Sequence, residues 1–339
     1  MSAQPGRGRV LSGIQPTGEL HMGNYFGAVE NWIRLTDDYD CFYAVVDYHA
    51  ITARYDPAAL PDAVEGMAVS LLAAGLDPEK CRIFIQSEVP EHTELGWILT
   101  SLAPLGHLQR MTQFKDKSGD EGDAINAGLL MYPVQQAADI LLYKADRVPV
   151  GEDQVQHLEL ARVLARRFNN AFGEVFPEPQ PLLTEAKRIL GLDGQTKMSK
   201  SKGNHIGILD EPDMIRKKMA TAFTDPQRLR RTDPGRPEVC NVFSWHKLLS
   251  DEATIARVDR ECRSAELGCY DDKMMMADIL IERFRPMRER AAELRRRPDR
   301  IREVLAAGRD GARAVARETM AEVREAMGLW QTKHSPATA

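Results

Sequence analysis

The chain has 339 residues, of which 43% are hydrophobic and 28% are charged, with a formal net charge of −5. This length suits about two domains and a sizeable core, and the composition excludes a disordered chain. No apolar run is long enough to cross a membrane, and the first ten residues have no signal-peptide core, so we expect a cytoplasmic protein without membrane contact. The five cysteines, an odd number, argue against a disulfide framework.

Short strands alternate with longer helices in the first half of the chain. Apolar runs rich in β-branched and aromatic residues predict strands at residues 9–14, 41–47, 81–87 and, as a short fourth, 148–150. Helical periodicity predicts helices at residues 24–35 and 63–76. This alternation predicts an α/β fold, a parallel sheet with helices on both faces. Ligands of such sheets bind beyond the carboxyl ends of the strands.

The pattern changes after about residue 210. Helical segments broken by Gly, Pro and Asp follow one another without a convincing strand, at residues 211–223, 242–250, 274–297 and 312–329. We therefore expect a C-terminal all-helical domain. Its junction with the α/β domain is predicted between Lys202 and Pro212.

A glycine-rich turn follows the first predicted strand. In the segment "SGIQPTGELHMGN" small and turn-forming residues precede a helix, whose N-terminal N–H groups attract phosphate. His21 can then hydrogen-bond a phosphate oxygen as negative charge develops. An ordinary strand-to-helix turn is the alternative. The dinucleotide fingerprint G-x-G-x-x-G is absent, which counts against a dinucleotide site.

A second segment, "KMSKSKGNH", places three lysines on a loop between Gly194 and Gly203. It has few apolar side chains to anchor it, so we expect a mobile loop that closes over a triphosphate and neutralises its charge. A solvated linker between domains is the alternative. Two phosphate-suited loops in one chain favour the first interpretation.

These two segments resemble the signature motifs of class I aminoacyl-tRNA synthetases. "GELHMGN" is similar to the first signature and "KMSKS" to the second. Longer segments, among them "VDYHAIT", "IQSEVPEH", "RMTQFKDKS", "NAGLLMYPVQQAADILLY" and "VPVGEDQVQHLELAR", resemble the bacterial tryptophanyl-tRNA synthetases. The resemblance covers nearly the whole chain, with order and spacing intact.

The resemblance implies which residues bind ATP and catalyse the reaction. The implied catalytic residues are His21, Lys115, Lys197 and Lys200. The implied ATP-binding residues are Gln15, Pro16, Thr17, Gly23, Asn24, Gly151, Glu152, Asp153, Ile189, Lys197, Met198, Ser199, Lys200 and Ser201. Attack of one anion on another needs positioning and positive charge more than a general base, because a carboxylate is already ionised at pH 7.

The resemblance also implies an amino-acid site. Asp139 is expected to accept the indole N–H of tryptophan, and its implied companions are His49, Tyr132, Gln136, Val148, Val150 and Gln154. A carboxylate in an apolar pocket rejects amino acids that lack the donor. Gln136 stands where many relatives have methionine, and Tyr132-x3-Gln136-x2-Asp139 also resembles the helix of tyrosyl-tRNA synthetases. The other segments favour tryptophan.

The implied reaction is attack of the tryptophan carboxylate on ATP, with release of pyrophosphate, followed by transfer to tRNA(Trp). Mg²⁺ is expected to arrive with ATP, held by phosphates and water. The resemblance further implies a homodimer. It implies a Rossmann-like catalytic domain at residues 1–205, a helical tRNA anticodon-binding domain at residues 206–310, and a C-terminal helix and tail at residues 311–339 that pack back on the catalytic domain.

Three cysteines in the helical part have two interpretations. Cys240, Cys262 and Cys269 follow the spacing C-x21-C-x6-C, and Asp272 stands where some relatives have the fourth cysteine of an iron–sulfur site. The alternative is that they are buried thiols without a ligand. Cys41 and Cys81 are interpreted as sheet residues only.

A basic stripe offers a surface for tRNA. Residues 283–302 contain nine arginines and three acids, a net charge of +6. A solvated helix is the alternative. Two other functions stay open from sequence: a nucleotidyltransferase that passes AMP to a small molecule, and an inactive paralogue that binds RNA or protein. Neither explains the full-length resemblance.

Overall fold

The structure is a computed structural model that describes residues 7–112, 126–151, 154–183 and 189–330. Its described strands form one parallel sheet in the order β3-β2-β1-β4-β5. The strands are β1 (Arg9–Ile14), β2 (Asp40–Val45), β3 (Cys81–Ile85), β4 (Arg147–Val150) and β5 (Gln180–Leu183). The four predicted strands are confirmed. The fifth was missed because "QPLL" is short and contains proline, which disfavours a strand.

Helices surround the sheet and, with the loops between them, make up the rest of the described chain. In the first half they are α1 (Met22–Asn24), α2 (Glu30–Leu35), α3 (Asp47–Ala50), α4 (Leu60–Ala74), α5 (Glu91–Leu102), α6 (Leu105–Gln109), α7 (Ala127–Leu142) and α8 (Val155–Phe172). A π-helical turn, Tyr25–Val29, joins α1 to α2. The predicted helix at residues 24–35 is therefore interrupted. The helix predicted at residues 63–76 begins earlier, at Leu60, and ends where Gly75 takes a positive φ of 116°.

The second half is helical, as predicted. Its helices are α9 (Pro212–Ala220), α10 (Asn241–Leu249), α11 (Glu252–Arg263), α12 (Cys269–Arg295) and α13 (Pro298–Ala326). Among the residues that the structure describes, no helix is both long and apolar enough to span a membrane.

Two hydrophobic cores lie on opposite faces of the sheet. Alternate strand residues point to each face, so that Tyr43 and Ile83 belong to one core and Phe42 and Phe84 to the other. The first core continues into α9, α10 and α12 without interruption. The α/β and helical parts of the chain therefore share one hydrophobic core.

Helix α13 covers the edge strand β3. Its first half, with Ile301 and Leu305, packs in one core, and its second half, with Val315 and Met320, packs in the other. The helix crosses the predicted boundary between residues 310 and 311 without a break. Covering an edge strand protects its unpaired backbone groups from pairing with another chain.

Candidate active site

A cavity of about 210 Å³ opens at the carboxyl ends of β1, β2 and β4. The strand order reverses between β1 and β4, and open α/β sheets bind their ligands at such a position. The cavity is lined by all seven residues that the sequence predicts for the amino acid: His49, Tyr132, Gln136, Asp139, Val148, Val150 and Gln154. The first predicted turn contributes Gln15. The fold thus brings residues from four separate segments to one place.

Asp139 lies at the inner wall of this cavity, only 4% exposed, and accepts hydrogen bonds from four side chains. Its Oδ2 atom lies 2.8 Å from His49 Nε2, and its Oδ1 atom lies 2.7 Å from His92 Nδ1. Gln86 Nε2 donates to both oxygens, at 2.8 and 2.9 Å, and Gln135 Nε2 donates to Oδ1 at 3.1 Å. Hydrogen-bond donors of the protein thus satisfy both oxygens of this buried carboxylate.

These hydrogen bonds determine the charge of Asp139. Burial on its own raises the pKa of the carboxyl group, but the opposing influence of His92 and His49 is larger and holds the pKa well below its ordinary value. Asp139 is therefore an anion at neutral pH. A buried anion at the wall of a largely apolar cavity is suited to accept a hydrogen bond from a ligand N–H group.

The glycine-rich turn ends at His21, which begins α1. Its Nδ1 atom accepts a hydrogen bond of 3.2 Å from the Asn24 N–H group and so caps the helix. Gly23 lies against this ring, because a Cβ atom there would be 3.0 Å from His21 Nδ1. A side chain at position 23 would therefore displace the imidazole.

The lysine loop, residues 197–205, is held together by Asn204. This residue is 5% exposed; its Nδ2 atom donates to Asp193 Oδ2 at 2.8 Å, and its Oδ1 atom accepts from the Ser199 N–H group at 2.7 Å. Met198 is only 2% exposed and belongs to the first core. The expectation that this loop lacks an apolar anchor is therefore wrong, because the methionine between two lysines packs inward.

The turn and the loop meet. The Met22 N–H group donates to the Ile206 carbonyl at 2.8 Å, and the Ile208 N–H group donates to the Leu20 carbonyl at 3.0 Å. Lys200 reaches over the turn, where a Cβ atom on Gly18 would lie 3.0 Å from its Nζ atom. Two segments more than 180 residues apart thus form one surface, on which Lys200 lies over the glycine-rich turn.

Packing at this surface changes two pKa values. Burial, together with the charges of Lys200, His205 and Lys197, lowers the pKa of His21 to about 4, so its imidazole is neutral at pH 7. Burial lowers the pKa of Lys200 to about 8, against the opposing influence of Glu19 and Asp210. A cation that is partly desolvated interacts strongly with a phosphate.

Comparisons with known proteins identify the family to which the chain belongs. The family model described as tRNA synthetases class I (W and Y) matches residues 4–285. The Tryptophan--tRNA ligase of Deinococcus radiodurans is 53% identical over 326 residues, which cover 95% of this chain and 98% of the relative. The chain belongs to the tryptophan--tRNA ligases, within the class I tRNA synthetases.

Two further relatives extend the likeness. The Tryptophan--tRNA ligase of Parasynechococcus marenigrum is 48% identical over 335 residues, covering 96% of this chain and 98% of the relative. A crystal structure of tryptophanyl-tRNA synthetase from Campylobacter jejuni, complexed with ADP and tryptophan, is 36% identical with a TM-score of 0.86. It covers 95% of this chain and 100% of that one. The Rossmann-like fold of this family is thereby shown for the chain.

The structure describes only some of the remaining residues of the implied nucleotide site. Lys115, Glu152 and Asp153 lie outside the described residues. Ile189 is buried beside the lysine loop, where its carbonyl accepts from the Met198 N–H group at 2.9 Å. Gly151 follows β4, and its carbonyl accepts from the N–H group of Gln154 at 3.0 Å.

The three cysteines of the helical part line one small pocket, but the pocket does not suit an iron–sulfur cluster. Within the described ranges no group of three or more His, Cys, Asp or Glu side chains could hold a metal ion. The Arg228 guanidinium lies 3.3 Å from Cys269 Sγ and 3.9 Å from Cys262 Sγ, and Asp272 is paired with His246 at 3.1 Å. The interpretation of Cys240, Cys262 and Cys269 as cluster ligands is therefore not supported.

Part of the basic stripe is used inside the molecule. Arg283 pairs with Glu30 at 3.2 Å, Arg290 donates to the Ala73 carbonyl at 2.7 Å, and Arg295 pairs with Glu19. These contacts join α12 to the turn and helices of the catalytic part. The charge count of the sequence did not separate these arginines from the others of the stripe.

The residues behind the cavity were not predicted from the sequence. Gln86, His92 and Gln135 donate to Asp139, Tyr143 is hydrogen-bonded to His92, and Asn204 organises the lysine loop. One signal was present: Gln86 is a polar residue at the carboxyl end of a buried strand, where ligand sites form. Gln135 lies four residues before Asp139 on the same helix α7, which is helical spacing. His92 lies 47 residues from Asp139, and spacing does not reveal this contact.

Proposed function

We propose that the chain joins L-tryptophan to tRNA(Trp) in two steps at the surface between the cavity and the lysine loop. In the first step a carboxylate oxygen of tryptophan attacks the α-phosphorus of ATP. The bond from that phosphorus to the bridging oxygen of the β-phosphate breaks, and pyrophosphate leaves. In the second step a ribose hydroxyl of the tRNA attacks the carbonyl carbon, and AMP leaves.

One observation carries the proposal: Lys200 and His21 lie together on the surface formed by the turn and the lysine loop, while Asp139 lines the cavity at the same edge of the sheet. The lysines stabilise the charge that develops on the leaving pyrophosphate. Neutral His21 can donate a hydrogen bond to a phosphate oxygen, since its Nδ1 atom is already an acceptor. Asp139 selects an amino acid with a ring N–H group.

ATP is expected to bring Mg²⁺, bound through its phosphates and water, which supplies further positive charge. Lys115, Glu152 and Asp153 are proposed to complete the nucleotide site, together with Gln15, Pro16, Thr17 and Asn24. Ser199 and Ser201, whose hydroxyl groups lie 2.8 Å apart, are proposed to bind phosphate from the loop.

The remaining assignments concern partners. The helical residues 206–310 are proposed to bind the anticodon part of tRNA(Trp), through exposed basic side chains such as Arg296 and Arg297, which follow the end of α12. Large apolar side chains on α5 and α6, Trp97 at 75% and Leu105 at 58% exposure, are proposed to meet a second copy in a homodimer. The proposed location is the cytoplasm, where translation takes place.

The test is amino-acid-dependent exchange of pyrophosphate into ATP, measured across the twenty amino acids. Tryptophan should stimulate exchange far above background. No stimulation by tryptophan would refute the function, and stronger stimulation by tyrosine would refute only the assignment of the cavity.

A second experiment separates catalysis from binding. Lys197→Ala and Lys200→Ala should each lower kcat for exchange by about 10²-fold or more, while the dissociation constant of tryptophan changes little. Lys202→Ala, at an exposed position of the same loop, is the matched control. An unchanged kcat in both variants would contradict the proposed role of the loop.

A further inference from the structure

The oxygens of Asp139 are already occupied before any ligand binds. Oδ1 accepts hydrogen bonds from Gln86, His92 and Gln135, and Oδ2 accepts hydrogen bonds from Gln86 and His49. An ionised carboxylate has about four lone-pair sites. A ring N–H group from the cavity therefore cannot be added to this arrangement. It has to take the place of a donor that is already present.

The position of each donor indicates which one is replaced. His49 lines the cavity, whereas Gln86 and His92 are fully buried and do not belong to the cavity wall. A ligand that enters the cavity thus approaches Oδ2, the oxygen that His49 holds. His92 lies on the other oxygen, with no exposed surface.

His92 is itself fixed by a second hydrogen bond. Its Nε2 atom lies 2.8 Å from the hydroxyl oxygen of Tyr143, which is also fully buried. An ionised carboxylate only accepts, so the Nδ1 atom of His92 carries the proton that faces Asp139. The Nε2 atom then accepts from the Tyr143 hydroxyl group. Burial raises the pKa of Tyr143 well above its ordinary value, which keeps that hydroxyl proton in place.

We propose that His92 and Tyr143 are positioning residues that hold Asp139 with Oδ2 directed to the cavity, and that the ring N–H of the amino acid takes this oxygen by displacing His49. The inference rests on the proposed function and names the device by which the cavity recognises its substrate. An amino acid without a ring N–H cannot make the exchange. When such an amino acid binds, either the hydrogen bond from His49 to Asp139 remains, or the carboxylate loses that hydrogen bond without gaining another.

The test compares tryptophan with its analogue in which sulfur replaces the ring N–H group. For each, kcat/KM is measured by pyrophosphate exchange in the full-length protein. Tyr143→Phe removes the hydroxyl that fixes His92, so the tryptophan-to-analogue ratio of kcat/KM should fall by at least about tenfold, through a higher KM for tryptophan. Equal losses for both amino acids would overturn the positioning role.

Matched variants distinguish positioning from stability. Tyr43→Phe removes another fully buried phenol hydroxyl, which donates to the Trp32 carbonyl at 2.8 Å in the other core, and should leave the ratio unchanged. His92→Asn puts an amide N–H group near the position of Nδ1 and should keep most of the ratio, whereas His92→Leu should lose it. Equal ratios in these two variants would contradict the role of His92.

The exchange of donors is tested directly by a structure of the protein with tryptophan bound. The expected result is a His49 Nε2 atom farther than about 3.5 Å from Asp139 Oδ2, with His92 still hydrogen-bonded to Oδ1. Displacement of His92 instead of His49 would overturn the inference. Absence of tryptophan-dependent exchange in the wild type would refute the proposed function itself. Wild-type activity with an unchanged ratio in Tyr143→Phe would refute only this inference.

Discussion

Lys200 shows how one residue can be set for its task by its surroundings. Burial lowers its pKa to about 8, so the side chain is charged at neutral pH and loses its proton as the pH rises through 8. We predict that kcat/KM for ATP falls about tenfold per pH unit above 8, because only the charged form binds phosphate well. The measurement is the pH profile of pyrophosphate exchange.

Lys200→Arg is the control for this prediction. A guanidinium group stays charged throughout the accessible range, so the alkaline decrease should disappear even if the maximal rate is lower. If the decrease persisted in Lys200→Arg, another group would be responsible for it.

Residues in signature segments could be predicted from sequence, and residues that act between segments could not. His21, Lys197 and Lys200 stand in motifs whose charge and turn chemistry suggest phosphate binding. Asn204 and His92 carry no such signal. Their roles arise from the fold, which places Asn204 beside Asp193 and His92 beside Asp139 although the partners are separated in sequence.

The lysine loop behaves as a structural element centred on Asn204. Asn204→Ala removes donors to Asp193 and Thr196 and the acceptor of the Ser199 N–H group. We predict a loss of about 1–3 kcal/mol in the free energy of unfolding and a decrease of roughly 10²-fold in kcat, because the loop lysines lose their positions. Urea unfolding and pyrophosphate exchange measure the two effects.

Thr221→Ala is a suitable comparison, since it removes only the hydrogen bond from an exposed hydroxyl to the Lys218 carbonyl at the end of α9. It should leave kcat unchanged. An Asn204→Ala variant with wild-type kcat would show that the loop does not need this centre.

Helix α13 meets the sheet at a glycine. A Cβ atom at Gly308 would lie 1.9 Å from the Ile83 carbonyl oxygen, a distance that no packing tolerates. Gly308→Ala should therefore push α13 away from β3 and lower the free energy of unfolding by about 3 kcal/mol or more. Gly66→Ala in α4, where a Cβ atom meets open space, should instead raise it by about 1 kcal/mol. Urea unfolding of both variants is the measurement, and a stable Gly308→Ala variant would contradict this packing.

The elements differ in how far sequence predicts them. Strand β2 is a continuous apolar run after Asp40, and such runs identify buried parallel strands. Strands β1 and β3 are mostly apolar runs, interrupted by Ser12 and Arg82. Strand β5 has four residues, one of them proline, and gains its place by pairing with β4. The covering of β3 by α13 joins residues more than 200 positions apart, so local periodicity predicts the helix but not its position on the sheet.

At the scale of the whole molecule, α12 connects the helical part to the glycine-rich turn beside the lysine loop. Glu19 lies in the glycine-rich turn, pairs with Arg295 and also raises the pKa of Lys200 against the larger effect of burial. The charge of residues 283–302 predicted a basic stripe suited to RNA, with a solvated helix as the alternative. Some of its arginines also contact the first half of the chain, as Arg295 does at Glu19.

The proposed dimer surface lies directly behind the cavity. Trp97 is adjacent to Gly96, where a Cβ atom would lie 2.4 Å from the Oε1 atom of Gln135, and Gln135 donates to Asp139. We predict that Trp97→Asp, which places a charge at the proposed interface, gives a monomer by sedimentation velocity. Because α5 then loses its contacts with the second copy, the dissociation constant of tryptophan should also rise, by about tenfold.

Leu229→Asp replaces an apolar side chain that is 86% exposed in the helical part and should leave both properties unchanged. A dimeric Trp97→Asp protein would place the interface on another surface.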